Sequence, residues 1–215
     1  MDKNGEDPTP TEALRIASHV YGDQPDDILI GGWSLSQSKT ATLINQYGLK
    51  SAVYERILEN GNTEYTYAFA GTQDITDILH DGLQLIGASG QYSQAIKNLQ
   101  ALQADIGTSE LTLTGHSLGG GLAALGSMKT GLRALTFNAA GVSLPTKLFN
   151  GVNMSQSVES QIDAYILASD PISSIQNIPF NAFPDVNGNK HIIFPKNWNS
   201  IIGGHKIESL INSYK

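Results

Sequence analysis

The feature that most constrains the fold of this chain is a serine enclosed by glycines, in Leu111-Thr-Leu-Thr-Gly115-His-Ser117-Leu-Gly119-Gly-Gly121. A run of leucine and threonine, typical of a strand, precedes the serine, and a run of helix formers follows it. A strand that turns sharply into a helix holds its serine in a strained conformation. Side chains two residues before and after that serine would collide, which explains Gly115 and Gly119. The segment therefore predicts a strand, a sharp turn and a helix.

Ser117 is the candidate nucleophile in this turn. A serine hydroxyl attacks well only when a base removes its proton, and the turn holds the hydroxyl out towards such a base. The backbone N–H of Leu118, at the start of the predicted helix, can donate to a developing oxyanion. Because the chain contains 22 glycines, the pattern can also arise by chance, and a glycine-rich turn with a solvated serine is the alternative.

The composition favours one globular domain without a nucleic-acid partner. The chain has 215 residues, 40% of them hydrophobic, and a net charge of −7, which disfavours binding to a polyanion. It contains no cysteine, so neither a disulfide nor a thiolate-bound metal is expected. We expect a linker over residues 1–9, one domain over residues 10–215, and a soluble chain with neither a signal peptide nor a transmembrane segment.

Strand and helix patterns alternate along the chain. Thr9, Pro10 and Glu12 predict a capped helix start, and Asn60-Gly61 predicts a hairpin. The predicted strands cover residues 51–58, 64–70, 132–137, 162–168 and 191–194, with a further strand starting at Leu111 and a last helix over residues 205–214. This alternation indicates an α/β fold with a mostly parallel central sheet, helices on both faces and the hairpin as its antiparallel edge.

Asp170 is the candidate acid of a catalytic triad. Functional groups in layered α/β proteins lie beyond the carboxyl ends of the strands, and Asp170 stands two residues after the strand over residues 162–168. Asp163 starts that strand, at the opposite edge, and Asp185 lies in a loop rich in Pro, Asn and Gly. The alternative for Asp170 is an Asx turn that only ends the strand.

His205 is the candidate base, because it follows the last predicted strand and two glycines free its loop to approach the serine. His191 begins that strand and is the second choice, and a surface histidine that caps a helix is the alternative role for His205. The other histidines are expected to be structural or solvated: His19, His80 and His116. The order Ser117, Asp170, His205 is that of the α/β-hydrolase triad.

A second oxyanion donor is expected at the end of an earlier strand. Gly71 permits a tight turn there, and Thr72 offers its N–H and its hydroxyl. Thr72 could also serve as the N-cap of the segment that follows it. That segment is amphipathic, with apolar residues at helical spacing: Ile75, Ile78, Leu79 and Ile86.

These residues together resemble the class 3, or fungal-type, lipase family over about residues 51–214. The matching segments are Phe69-Ala-Gly71-Thr72, Ile78-Leu-His-Asp81, Thr114-Gly-His-Ser-Leu-Gly-Gly120, Thr136-Phe-Asn-Ala-Ala140, Asp170-Pro-Ile172 and His205. Two positions depart from the family pattern. Ala70 stands where the family has an arginine, and Asp170-Pro-Ile172 lacks the usual Asp-x-Val-Pro spacing.

The resemblance implies a serine carboxylester hydrolase that acts on lipids at a membrane or micelle interface, as a phospholipase A or a lipase. It also implies an oxyanion-hole role for Thr72 and a lid over the segment from Ile75 to Ile86. Acyl transfer through Ser117 needs neither a metal nor an organic cofactor. Three alternatives stay open: an esterase for small soluble esters, an acyltransferase, and a catalytically inactive domain that binds lipid or protein.

The start of the chain carries a second resemblance. The segment Asp2-Lys-Asn-Gly5-Glu-Asp-Pro8 resembles the end of the core of an RHS-repeat polymorphic toxin, after which a variable toxin domain begins. That resemblance implies an antibacterial effector that is exported within a larger protein, acts in the target cell and is neutralised by an immunity protein. Short motifs rich in Asp, Gly and Pro also occur in ordinary linkers.

Overall fold

One sheet organises the part of the chain that the computed structural model describes, namely residues 7–22, 29–71, 89–107, 110–154, 159–171, 184–196 and 206–214. Seven strands follow one another across this sheet in the order of the sequence. They are β1 Ser34–Leu35, β2 Ser51–Ile57, β3 Thr63–Phe69, β4 Leu111–His116, β5 Ala134–Phe137, β6 Ile162–Leu167 and β7 Asn189–Ile193. The strands from β3 to β7 run parallel, so their carboxyl ends share one edge, which we call the carboxyl edge.

The predicted hairpin forms the antiparallel side of the sheet. Strand β2 pairs antiparallel with β3, with Val53 opposite Tyr67. The connection between β2 and β3 has five residues, 58–62, rather than the two of a tight Asn-Gly turn. Across it, the N–H of Leu58 donates to the carbonyl of Asn62 at 2.8 Å. Strand β1, which the sequence patterns did not predict, pairs antiparallel with β2 and forms the outer edge.

Helices cover both faces of the sheet, as predicted. On one face, α3 (Ser89–Ile106) and α4 (Leu118–Thr130) enclose a core that includes Leu99, Leu113 and Leu125. The other face is covered by α1 (Pro10–His19) and α6 (Ile207–Ser213) around a core that includes Leu14, Leu135 and Leu210. Two short helices, α2 (Gln37–Thr40) and α5 (Leu144–Phe149), complete the described helices. None of the helices in the described ranges has both the length and the apolar character needed to cross a membrane.

The N-terminal helix begins with the predicted capping box. The Thr9 hydroxyl accepts from the N–H of Glu12 at 3.3 Å, and the Glu12 carboxylate accepts from the N–H of Thr9 at 2.9 Å. Just before this box, within the segment expected to be a linker, the Asp7 carboxylate accepts from the Thr112 hydroxyl and from Arg133, both at 2.9 Å. Helix α1 is therefore tied to the starts of β4 and β5.

Candidate active site

Ser117 occupies a sharp turn between β4 and α4. Its backbone has φ +57° and ψ −126°, a conformation that non-glycine residues rarely adopt. A Cβ atom at Gly115 would lie 2.3 Å from the carbonyl oxygen of Gly119, and one at Gly119 would lie 2.2 Å from that of Phe69. The strain and the close approach that the glycine pattern predicted are both present, and only residues without a side chain fit at these two positions.

This crowding predicts a large difference between two alanine substitutions in α4. At Gly126 the added methyl group meets only the ends of the Leu113 and Leu99 side chains, which can move. At Gly119 it meets backbone atoms, which cannot. We expect Gly119→Ala to lower the free energy of unfolding by more than about 3 kcal/mol. Gly126→Ala should stay within about 1 kcal/mol of the wild type, because alanine favours the helix. Chemical denaturation of both variants checks this, and equal losses would contradict the packing of the turn.

Backbone hydrogen bonds fix the turn from the side of β5. The N–H of Ser117 donates to the carbonyl of Phe137 at 3.1 Å, and the N–H of Ala140 donates to the carbonyl of Ser117 at 3.0 Å. Leu118 begins helix α4, where the first N–H groups have no acceptor within the helix. A carbonyl oxygen that becomes negatively charged next to Ser117 would therefore face both an N–H group and the positive end of the helix dipole.

Asp170 lies at the carboxyl edge, two strands away from Ser117. Strand β5 separates β4 from β6, and Asp170 follows the end of β6, where its N–H donates to the carbonyl of Leu167 at 2.8 Å. The residue is 1% exposed. Two strand spacings amount to about 10 Å, a gap that one imidazole ring and two hydrogen bonds of about 2.8 Å can bridge. A histidine held between these two strand ends could therefore contact both Ser117 and Asp170.

Asn138 makes a contact between the ends of β5 and β6 that the sequence interpretation missed. It follows the last residue of β5 with φ +42°, and its side-chain oxygen accepts from the N–H of Leu167 at 2.8 Å. This bond fixes the end of β6, from which the turn to Asp170 departs. Asparagine is among the few residues that tolerate a positive φ, so an asparagine directly after a strand was the available signal.

His191 is directed towards the opposite edge of the sheet. Its Nε2 atom lies 2.9 Å from the carboxylate of Asp163, which also accepts from Arg133 at 3.3 Å. The imidazole stacks on Tyr165, with 4.8 Å between the ring centroids. Asp163 is the second residue of β6, so this cluster lies at the amino end of the strand. The contacts of His191 are those of a structural residue.

Three predicted site features lie outside the described residues: His205, Thr72 and the segment from Ile75 to Ile86. The structure describes residues close to them in sequence on both sides. Ile207, at the start of α6, packs in the same core cluster as Phe137 and Leu167, the last residues of β5 and β6. On the other side, a Cβ atom at Gly71 would lie 3.0 Å from the Cβ atom of Ser117.

A partly buried tyrosine joins the two sides of the site. The N–H of Gly71 donates to the Tyr21 hydroxyl at 2.9 Å, and the same hydroxyl lies 3.0 Å from Nδ1 of His116. Burial raises the pKa of Tyr21, the hydrogen bond from Gly71 opposes that rise, and the negative charge of Glu208 adds to it. The hydroxyl is therefore neutral at physiological pH. The sequence patterns indicated no role for Tyr21 at this site.

His19 forms a second tyrosine–histidine pair, away from Ser117. Its Nδ1 atom lies 2.9 Å from the Tyr54 hydroxyl, and the two rings meet edge to face. The placement of His19 and His116 agrees with the structural roles expected for them.

Comparisons with known proteins bear on this site. A family model described as "Phospholipase-like: Tle-like phospholipase domain" matches residues 12–199. An extracellular phospholipase A1 of Serratia liquefaciens is 42% identical over 97 residues, which make up 45% of this chain and 28% of that protein. The chain thus aligns with less than a third of the length of this relative.

Solved structures share the fold at low sequence identity. A deletion mutant of the Rhizomucor miehei lipase propeptide complex superposes with a TM-score of 0.58 and 14% identity, over 89% of this chain and 67% of that one. A triacylglycerol lipase whose catalytic centre is a serine protease triad gives a TM-score of 0.55 and 14% identity, over 93% of this chain and 89% of that one. Together with the sheet order, these likenesses confirm the predicted α/β-hydrolase fold and the resemblance to fungal lipases.

Proposed function

Because this chain belongs to the Tle-like phospholipase domain family, we propose that it cleaves a carboxylic ester of a phospholipid with Ser117 as the nucleophile. The observation that carries the proposal is the strained turn of Ser117 between β4 and the N-terminus of α4. The backbone there has the form in which a serine side chain is presented to substrate in α/β hydrolases. Family membership indicates a phospholipid substrate, and the strained turn indicates a nucleophilic serine.

In the first step, the Ser117 hydroxyl oxygen attacks the ester carbonyl carbon while His205 takes the hydroxyl proton. The carbonyl oxygen becomes negatively charged and accepts from the N–H groups of Leu118 and Thr72. Asp170 accepts from the other imidazole nitrogen of His205, which orients the ring and stabilises its positive charge. The tetrahedral intermediate then expels the alcohol, which takes the proton from His205, and an acyl-enzyme remains.

In the second step, water releases the acyl group. His205 takes a proton from a water molecule, whose oxygen attacks the acyl carbonyl, and Ser117 leaves with that proton. The products are a fatty acid and a lysophospholipid. No step needs a metal or an organic cofactor.

Two observations support the assignment of Asp170 and His205. Asp170 is buried at the carboxyl edge, two strands from Ser117. Helix α6, which begins two residues after His205, packs with α1, and Tyr21 just after α1 contacts the residue before Ser117 through its hydroxyl. This packing is consistent with a histidine at position 205 that serves Ser117.

The direct test is incubation with phospholipid micelles and identification of the products by mass spectrometry. We expect equimolar fatty acid and lysophospholipid, and a fluorophosphonate probe that modifies Ser117. A fatty acid ester of added glycerol would instead indicate an acyltransferase. Intact phospholipid and no labelled serine would contradict the proposal.

An exposed apolar surface on helix α5 (Leu144–Phe149) supports action at a lipid interface. Helix α5 follows β5 from the carboxyl edge, and its outward residues are all apolar: Leu144, Pro145, Leu148 and Phe149. Phe149 is 78% exposed. The one charged residue of the helix, Lys147, is buried and bonded to Glu159 at 2.9 Å. Water disfavours such a surface, and the hydrocarbon of a bilayer does not.

This surface predicts a substrate-dependent effect. We expect the double variant Leu148→Ser/Phe149→Ser to hydrolyse phospholipid vesicles about tenfold more slowly, because less apolar area enters the bilayer. Hydrolysis of a monomeric short-chain ester should stay within about twofold. Ile57→Ser is the matched control, since Ile57 is 75% exposed but lies at the far end of the β2–β3 hairpin. A loss on both substrates, or a change of oligomeric state in the double variant, would contradict a lipid-binding role for α5.

The effector role remains a hypothesis that rests on the motif at residues 2–8. It is tested by measuring phosphatidylglycerol and phosphatidylethanolamine in bacteria that express the chain. Intact lipids and normal growth in cells that contain active enzyme would contradict the effector role. The same result would show that the cells need no immunity protein.

A further inference from the structure

The Tyr21 hydroxyl is the meeting point of three separate parts of the chain. Tyr21 follows helix α1, Gly71 follows β3, and His116 ends β4 directly before Ser117. The hydroxyl lies 2.9 Å from the nitrogen of Gly71 and 3.0 Å from Nδ1 of His116. We call this set of contacts the Tyr21 clamp. It connects the end of β3, where the second oxyanion donor is expected, with the turn that carries the nucleophile.

Hydrogen-bond roles in the clamp follow from the chemistry of its members. The Gly71 N–H can only donate, so the Tyr21 oxygen accepts from it. A neutral phenol keeps one O–H group, which can donate to Nδ1 or to the carbonyl oxygen of His116 at 3.5 Å. The Tyr21 hydroxyl therefore has one partner in Gly71 and one in His116, and phenylalanine at this position would remove both of these bonds.

The clamp is also closely packed. A Cβ atom at Gly71 would lie 2.7 Å from the Tyr21 hydroxyl oxygen and 2.6 Å from the carbonyl oxygen of His116. The Tyr21 backbone is fixed as well, because the side chain of Lys50 donates to its carbonyl. The carbonyl of Lys50 in turn accepts from the N–H of Ala70 at 2.9 Å. Tyr21 and the end of β3 are thus held together by two independent hydrogen-bonded connections.

We propose that Tyr21 is a positioning residue for catalysis, which holds the end of β3 against the nucleophile turn so that the oxyanion donors on the two segments keep their separation. This inference rests on the proposed function. Electrostatic stabilisation of an oxyanion depends on donors that are already in place when charge develops, and a displacement of about 1 Å can cost about 100-fold in rate. The residue acts through Gly71 and His116 and does not touch the substrate.

Tyr21→Phe tests the proposal because it keeps the ring and removes only the hydroxyl. We expect kcat for a monomeric short-chain ester to fall about 10- to 100-fold while KM changes by less than about twofold, because the lost interaction acts in the transition state. The matched control is Tyr54→Phe, which removes a buried tyrosine–histidine bond of 2.9 Å in a cluster that Tyr21 also contacts. It should lower the melting temperature and leave kcat within about twofold.

A double-variant cycle and hydrogen exchange separate the possible outcomes. His116→Phe breaks the clamp from the other side, so Tyr21→Phe/His116→Phe should lose no more activity than the more impaired single variant. Exchange of the Gly71 amide should accelerate in Tyr21→Phe and not in Tyr54→Phe. Faster exchange with unchanged kcat, equal kcat losses in Tyr21→Phe and Tyr54→Phe, or additive losses in the cycle would each overturn the positioning role. A wild-type rate equal to that of Ser117→Ala would instead overturn the proposed function, and the positioning role with it.

Discussion

Replacement of Ser117 by alanine is expected to lower the rate of phospholipid hydrolysis by about 10⁴-fold or more, because no oxygen remains to form the acyl-enzyme. The fold should persist. Alanine keeps the Cβ atom that already fits at φ +57°, and the backbone bonds of residue 117 to Phe137 and Ala140 do not involve its side chain. Product release from micellar phospholipid measures the rate, and thermal unfolding confirms that the variant is folded.

The matched control for this variant is Ser127→Ala in the same helix. Ser127 is fully buried, and its hydroxyl donates to the carbonyl of Leu132 at 2.6 Å, so its loss should lower stability by about 1 kcal/mol and leave the rate unchanged. If Ser117→Ala hydrolyses phospholipid as fast as the wild type, the chain is not a serine hydrolase. If both variants lose activity in proportion to their stability, the loss reflects unfolding rather than chemistry.

The parts of the fold that the sequence predicts well are those that local chemistry determines. The capping box of Thr9 and Glu12 forms as expected, because its two bonds connect residues three apart. The turn at Ser117 is local in part, since Gly115 is needed where the strand enters the helix and approaches Gly119, whereas Gly119 itself is needed because Phe69 of β3 lies against it. The edge on which Asp170 lies was predictable too, because parallel strands end on a common edge.

The features that escaped prediction depend on contacts between distant parts of the chain. Strand β1 has only two residues and exists because β2 offers it an edge to pair with. Tyr21 looks like one more apolar residue of α1 until folding brings Gly71, 50 residues away, to its hydroxyl. Asn138 likewise acquires its role only when β6 lies beside β5. Periodicity and spacing carry no information about such partners.

His205→Ala is expected to lower hydrolysis about as strongly as Ser117→Ala, by about 10⁴-fold, because the members of a triad act as a unit. His191→Ala is the informative comparison. His191 is bonded to Asp163 at 2.9 Å near the amino end of β6, whereas Ser117 lies at the carboxyl edge. Its removal should leave the rate within about twofold. The side chain of His191 is 46% exposed, so we expect a stability loss of no more than about 1 kcal/mol.

The two histidine variants separate the base from a structural histidine in one assay. Loss of hydrolysis in His205→Ala alone, together with slower fluorophosphonate labelling of Ser117, would establish His205 as the group that activates the serine. Loss in His191→Ala alone would reverse the assignment and would require β7 to present its histidine at the other edge of the sheet. That arrangement would break the contacts of the imidazole with Asp163 and Tyr165 and would require the ring to reach Ser117 past β5 and β6. The comparison therefore tests the described placement of His191 as well as the mechanism.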